Sequence, residues 1–208
     1  MNTPSGSTPL LVLLSAPSGA GKTTLGQELL AARPGFTRAV TCTTRQPRPG
    51  ERHGVDYFFL DPATFRQRLE AGEFLEHAKV YENYYGTLKV EVAGRLQRGL
   101  DVLLTVDVQG ARSIQAIAAA DPIMGPALVS VFLTPQTLSE LEQRLKKRNQ
   151  NDPADLAKRL AEAKRELSCW KDFAYLLIST TIPEDLRRML AIVDAERMRQ
   201  ARAHPPES

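Results

Sequence analysis

At 208 residues the chain has the length of one domain, with room for inserted lobes and a substantial core. Its composition, 42% hydrophobic and 25% charged, is globular, and a net charge of +3 gives no global attraction to nucleic acid or membrane. No apolar run is long enough to span a bilayer, no signal-peptide pattern opens the chain, and Cys42 and Cys169 follow no metal or disulfide spacing, so the expectation is a cytoplasmic protein in a reducing compartment, with no membrane or nucleic-acid partner.

Met1 to Pro9, rich in Ser, Thr, Pro and Gly, reads as a disordered tail, and His204 to Ser208 reads similarly. Leu10 to Leu14 is a short apolar run, the pattern of a buried parallel strand. A Ser/Gly loop follows, and Thr24 to Ala32 reads as helix. The loop matches a phosphate-binding pattern as Ala16-x-x-x-x-Gly21-Lys22-Thr23, with Ala where the usual pattern has Gly. Strand, Gly-rich loop and helix is the context in which that pattern carries meaning. Backbone N–H groups and a helix N-terminus then converge on one concavity suited to an anion. Lys22 adds a mobile positive charge for the β/γ-phosphates, and Thr23 offers a hydroxyl to Mg²⁺. Nucleotide binding is the starting expectation.

Phe36 to Thr43 reads as a strand leading into Thr44-Arg45-Gln46-Pro47-Arg48-Pro49-Gly50-Glu51. The prolines stiffen this stretch, so Arg45 and Arg48 are either a pair of guanidiniums able to clamp a phosphate or a solvated basic loop. Tyr57 to Leu60 is a short strand, and Asp61-Pro62 starts a helix that runs to about Ala71 before Gly72 stops it. Phe74 to Val80 partly alternates and reads as a strand. Asn83 to Thr87 is a turn-and-strand segment leading into a helix, Lys89 to Arg98. This strand-rich block resembles a small lobe inserted into an α/β core.

Asp101 to Asp107 is a buried strand, and Gln109 to Ala120 is helical. Asp107 either holds Mg²⁺ through water or caps that helix. Ala127 to Leu133 is another buried strand, and Thr134-Pro135 caps a helix, Gln136 to Lys147. The basic stretch Arg144, Lys146, Lys147 and Arg148 passes through Asn149-Gln150-Asn151 to a helix opened by Asp152-Pro153 and carrying Lys158, Arg159, Lys164 and Arg165. Two helices with arginines on both sides of a polar turn suit a lid over phosphates; the alternative is a solvated helical hairpin. Leu176 to Ile178 is a short strand. Thr181 to Arg199 is an amphipathic helix with Leu186, Met189, Leu190 and Val193 on its buried face. His53 and His77 read as structural or surface residues, and Trp170 as packing.

Six stretches go beyond a P-loop: Ser15 to Thr23, Thr43-Thr-Arg-Gln-Pro-Arg-Pro-Gly-Glu51, Gly54-Val-Asp-Tyr-Phe58, Gly72-Glu-Phe-Leu-Glu76, Asn83-Tyr-Tyr-Gly-Thr87 and Asp107-Val-Gln-Gly110. In order and spacing they resemble the guanylate kinase family, over about residues 9–190. The resemblance implies an α/β fold: a P-loop NTPase core, a parallel sheet flanked by helices, with a GMP-binding lobe at about 41–92 and a helical lid at about 138–168. Residues 1–8 are then tail, and 191–208 the end of the terminal helix and a second tail. It implies Mg²⁺-dependent transfer of the ATP γ-phosphate to GMP and dGMP in purine nucleotide metabolism. Ala16, Pro17, Ser18, Gly19, Ala20, Gly21, Lys22, Thr23 and Thr24 match ATP-binding positions, with Thr23 at the metal. Arg45 and Arg48, with Tyr57 and Tyr85, match positions that hold the GMP phosphate. Thr41, Glu76, Thr87 and Asp107 match positions around the guanine. Arg144, Arg148 and Arg159 match arginines that, with Lys22 and Arg45, serve the transferring phosphoryl group. Monomer or homo-oligomer is left open.

Two positions depart from the family pattern. Thr105 stands where an acid is usual, and Ser179-Thr180-Thr181 replaces an Asn-Asp segment near the adenine end of ATP. Two rivals are weighed. A non-catalytic binding module of the same family would show a degraded P-loop, whereas Lys22 and Thr23 are intact. A kinase for another small acceptor is opposed by Glu76 with Thr41 and Thr87.

Overall fold

A computed structural model describes residues 8–80, 82–148 and 153–203, the side chains at 147, 148, 153–156 and 158 excepted. The chain begins with β1 (Leu11–Ser15), buried at every position, and α1 (Lys22–Ala32), which starts two residues earlier than the sequence suggests. The expected strand from Phe36 to Thr43 is split into β2 (Phe36–Arg38) and β3 (Cys42–Thr43). The two pieces belong to different sheets, so the chain must leave one ladder to enter the other. Between them the Val40 N–H donates to Glu91 Oε1 at 2.9 Å instead of to a neighbouring strand.

Next come β4 (Phe58–Phe59), α2 (Pro62–Glu70), β5 (Phe74–Val80), β6 (Asn83–Leu88) and α3 (Lys89–Gln97). Asp61 caps α2 as expected, accepting from the N–H groups of Ala63 and Thr64 at 3.0 and 2.9 Å. The core resumes with β7 (Asp101–Val106), α4 (Val108–Ala119), the single turn α5 (Met124–Ala127) and β8 (Leu128–Thr134). It ends with α6 (Leu138–Arg148), α7 (Pro153–Leu167), a 3₁₀ turn (Ser168–Asp172), β9 (Tyr175–Ile178) and α8 (Ile182–Arg197). α5 has no counterpart in the sequence reading, because a four-residue turn leaves no periodicity. Thr134 finishes β8 rather than capping α6, and the Thr137 hydroxyl takes that role by accepting from Glu140 N–H at 3.2 Å. Trp170, expected to pack, is 42% exposed.

The main sheet is parallel, in the order β2-β7-β1-β8-β9. Its central strand pairs with β7 on one side and β8 on the other, and both faces carry core clusters: α1, α6, α7 and α8 cover one, α3, α4 and α5 the other. Each fully buried Leu or Val contributes roughly 1.5–3 kcal/mol. A second, mixed sheet runs β4-β3-β6-β5 and has its own small core of Cys42, Phe65, Phe74 and Leu88. Consecutive residues of β5 serve both cores: Phe74 packs in the small one and Leu75 in the main one. Strand alternation makes this possible, since neighbours point to opposite faces of the sheet, and the register shift between Phe74 and Glu76 falls at the same place.

The chain ends are tied to the core. The Thr8 N–H donates to the Arg202 carbonyl at 3.1 Å, so Thr8 is fixed rather than part of a loose tail; residues 1–7 and 204–208 lie outside the described residues. Arg202 is 7% exposed and pairs with Glu196, itself 1% exposed. It also donates to the carbonyls of Pro126 and Leu128, both at 2.9 Å, while the Tyr175 hydroxyl donates to Glu196 at 2.5 Å. Removing Arg202 leaves the buried Glu196 carboxylate with the Tyr175 hydroxyl and only a long contact, 3.3 Å, to the mostly exposed Arg199. Arg202→Ala should therefore cost about 3–5 kcal/mol, read in a thermal melt as a Tm lower by roughly 6–20 °C. An unchanged Tm would show that the pair is not buried in solution.

Candidate active site

β1 ends at Ser15, and the chain turns through the loop 16–21 into α1. Gly19 and Gly21 hold φ of 86° and 102°, the left-handed region where a Cβ is strained. The Ala20 N–H closes the loop onto the Pro17 carbonyl at 3.1 Å. Ala16 and Ala20 are each 1% exposed and part of the core, which is how alanine is accommodated at the first position of the motif. Pro17, Ser18, Lys22, Thr23 and Thr24 surround a small hollow over the loop. The Lys22 ammonium donates to the Val106 carbonyl at 2.8 Å. Burial pulls its pKa down, while the carboxylates of Asp107 and Glu166 act to keep it charged.

Helices α6 and α7 each place one charged side chain on this loop. Arg144 donates to the Ala20 carbonyl at 3.2 Å. Glu166 accepts from the Ser18 N–H at 3.4 Å, and desolvation raises its pKa. Arg159, half-buried, lies on α7 two turns before Glu166. The side chain of Arg148 and the segment Asn149-Gln150-Asn151-Asp152 lie outside the described residues.

On one flank, a cavity of about 330 Å³ is formed jointly by Thr23, Thr41, Tyr57, Glu76, Tyr85, Thr87 and Asp107. Six of the eight residues matched to the acceptor are thus brought together, beside the start of α1. Glu76 and Thr87 face each other across β5 and β6, and the Thr87 hydroxyl donates to Glu76 Oε1 at 2.7 Å. Desolvation raises the Glu76 pKa, Thr87 opposes that shift, and nearby Asp107 adds to it. Asp107 does cap α4, accepting from the Gly110 N–H at 2.7 Å through Oδ1, yet it lines the cavity as well. The two readings of Asp107 are compatible. Gly110 sits tight against the end of β7 and the cap itself, since an added Cβ would lie 3.2 Å from the Val106 Cβ and 3.3 Å from Asp107 Oδ1, while Glu76 Cβ would be in ordinary contact at 3.6 Å.

Arg45 stands at the aromatic side of this cavity. Its guanidinium is 5.5 Å from the centre of the Tyr57 ring, and the Tyr57 and Tyr85 rings are 6.2 Å apart. Glu51 receives two hydrogen bonds from Arg45, at 2.8 and 2.9 Å, and one from the Arg48 N–H at 2.7 Å. The Arg45 hydrogen bond holds the Glu51 carboxyl below the usual range. Arg48 is exposed on the same turn.

Three contributors escape a reading by residue type. Arg38 lines the acceptor cavity, Glu51 fixes Arg45, and Glu166 reaches the loop. Glu51 falls inside a motif that was legible, but its role depends on how the loop folds back. No spacing signals Glu166, which meets Ser18 across 148 residues.

The other flank holds a cavity of about 360 Å³ between the start of α1, α6 and the turn into α8. An anion cradle at the carboxyl end of a central parallel strand, open to a cavity on either side, belongs to the P-loop phosphotransferases. A family model described as guanylate kinase matches residues 8–196. The chain is 42% identical over 193 residues to a guanylate kinase of Rhodospirillum rubrum, covering 93% of this chain and 86% of that one. It is 40% identical over 190 residues to one of Coxiella burnetii, covering 91% and 89%. The solved guanylate kinase of Anaplasma phagocytophilum superposes with a TM-score of 0.70 at 29% identity, covering 95% of this chain and 90% of that one. The chain belongs to the guanylate kinase family.

Proposed function

We propose that the protein transfers the γ-phosphate of ATP to GMP, and to dGMP, giving ADP and GDP or dGDP. The observation that carries this is Glu76: a carboxylate oriented by Thr87 in a cavity that also reaches Thr23 at the head of α1. Guanine presents two adjacent N–H donors on its Watson–Crick edge, and one carboxylate accepts both. Adenine would turn a lone pair toward the same oxygens. Thr41, Thr87 and Asp107 complete the base pocket, and Arg45, Arg48, Tyr57 and Tyr85 hold the GMP phosphate.

The acceptor oxygen is already anionic, so the chain need supply no base. It supplies placement and charge. The N–H groups of the loop, residues 16–24, cradle the ATP phosphates. Lys22, Arg144, Arg148 and Arg159 balance charge on the moving phosphoryl group, where one well-placed cation is worth about 10³–10⁵ in rate. Residues 41–92 act as the acceptor lobe and 138–168 as a lid that closes to exclude water.

Mg²⁺ fits the residues present. Thr23 contributes a hydroxyl and Asp107 a second carboxylate oxygen to one cavity, while its first is committed to Gly110. Among the described residues no three His, Cys, Asp or Glu side chains gather to hold a metal. That suits an ion that arrives on the nucleotide and keeps most of its water. Held there by Thr23 and, through water, Asp107, it would supply positive charge to the nucleotide's phosphates. Thr105 lines the same cavity and offers a hydroxyl where the family pattern has an acid. No described helix is long and apolar enough to cross a membrane. The cytoplasm is the compartment we infer, a reading supported by two cysteines that are both free thiols.

The test is an ADP-formation assay with ATP and Mg²⁺, offering GMP, AMP, UMP and CMP in parallel. ADP formed with GMP alone is the expected result. Folded protein that turns over none of the four would indicate a binding module, and turnover of another acceptor would remove Glu76 as the base reader.

A further inference from the structure

The acceptor lobe is joined to the core by two crossings of the chain. At Ala39 to Thr41 the chain leaves β2 for β3, and at Leu88 to Lys89 β6 gives way to α3. Glu91 ties the two together. It lies in the first turn of α3, just beyond the second crossing, and accepts from the Val40 N–H, in the middle of the first, at 2.9 Å.

Its place in α3 would ordinarily give it another task. Leu88 is the N-cap and offers no capping side chain, and a glutamate in the third helical position usually reaches back to the N-cap N–H. Glu91 instead reaches to a crossing 51 residues earlier. Arg95, one turn further along α3, holds it there, donating to the same Oε1 through Nε at 2.8 Å and Nη2 at 2.6 Å. The two side chains are only 15% and 19% exposed, which shields the pair from the competition with water that weakens surface ion pairs.

Thr41 is the residue this arrangement fixes. It follows Val40 directly and lines the acceptor cavity with Glu76 and Thr87. Its carbonyl accepts from the Phe58 N–H at 3.0 Å, while its hydroxyl makes no hydrogen bond among the described residues and is left for a ligand. Val40 is buried, so without Glu91 its N–H must find another partner, and the crossing shifts to provide one. Thr41 would move with it.

We propose that Glu91 is a positioning residue for the acceptor: through the Val40 N–H it sets where the Thr41 hydroxyl meets the GMP base. The inference rests on the phosphotransfer reading above. Glu91 itself lies outside the cavity lining, and Lys22 and Arg144 are fixed by contacts of their own. Its influence therefore falls on GMP binding and spares ATP binding and transfer.

The experiment uses the full chain and follows GDP formation, with GMP varied at saturating ATP and then ATP varied at saturating GMP. Glu91→Ala should raise the KM for GMP by about 3–10-fold, the scale of one neutral hydrogen bond, with kcat and the KM for ATP within about twofold of wild type. Glu91→Gln keeps an oxygen for Val40 and Arg95, so its GMP KM should stay within about twofold of wild type. Thr41→Val should raise the GMP KM to a similar extent, and adding Glu91→Ala to it should raise it no further. Arg95→Met leaves Glu91 without its holder; it should move the GMP KM the same way by a smaller factor, and it stands in if Glu91→Ala does not fold. A GMP KM unchanged while only the melting temperature falls would make the role structural and overturn the inference. A Gln variant as impaired as the Ala variant, or effects that multiply in the double variant, would overturn it too. Each of these leaves the phosphotransfer reading standing. No GDP from wild-type protein removes that reading and the inference with it.

Discussion

Lys22→Ala is expected to lower turnover by about 10²–10³, the scale of removing one preorganised charge, while GMP affinity stays within about twofold. The ammonium sits at the head of α1 on the Val106 carbonyl, beside the loop and at the edge of the acceptor cavity rather than in it. Stability gives the control. Burial depresses the Lys22 pKa, so the fold holds this cation at some expense below its folded pKa, and stability rises as pH climbs through it. Removing the side chain relieves that expense, and the melting temperature should hold or rise. Kinetics, calorimetry with GMP and a thermal melt separate the outcomes. A large loss of GMP affinity, or a lower melting temperature, would place Lys22 in binding or folding rather than in transfer.

Glu76→Gln should raise the KM for GMP by about 10²–10³ and reduce the preference for GMP over AMP by a similar factor. Thr87 can still donate to the amide oxygen, which leaves the amide N–H₂ facing two N–H donors of guanine. The wild-type pH profile carries the same message. The folded pKa of Glu76 is raised, chiefly by desolvation, and guanine needs the ionised form. GMP affinity should therefore fall as pH falls, beginning above the range of an exposed glutamate, and GMP binding should release a proton there. In Glu76→Gln the part of the acidic limb that belongs to this carboxyl should vanish, leaving only that of the GMP phosphate, whose second pKa is about 6. Because a raised carboxylate pKa destabilises the fold as pH rises through it, the variant should be no less stable at neutral pH. An unchanged GMP-to-AMP ratio would show that another group reads the base.

What was legible in the sequence is what the backbone decides locally. Lys22, Thr23 and the two left-handed glycines share one turn of chain, and Asp61 lies three residues or fewer from the groups it caps. The acceptor cavity could be foreseen only through motifs, because Tyr57, Glu76, Thr87 and Asp107 meet through two sheets and a helix start. Phe36 to Thr43 has the composition of one strand, and nothing local marks the step between ladders at Val40. That step depends on Glu91, which takes the Val40 N–H from 51 residues away. Glu166 and Asp185 were missed for a related reason. Each carboxylate looks solvated in sequence, and only packing shows that one meets the loop and the other is buried under the turn into α8.

The position of β1 also governs how the chain emerges from a ribosome. Its five residues are buried between β7 and β8, and the pairing of Leu10 with Asp101 spans 91 residues. At about 5–20 residues per second, the interval before that partner is made is roughly 5–20 s. The strands β3, β4, β5 and β6 are synthesised within that interval and pair only with one another. During translation the acceptor sheet can therefore assemble first, while Leu11-Val-Leu-Leu14 waits as an unpaired apolar segment. That is the stretch a nascent-chain chaperone would hold, and the one whose early exposure sets the aggregation risk of this fold.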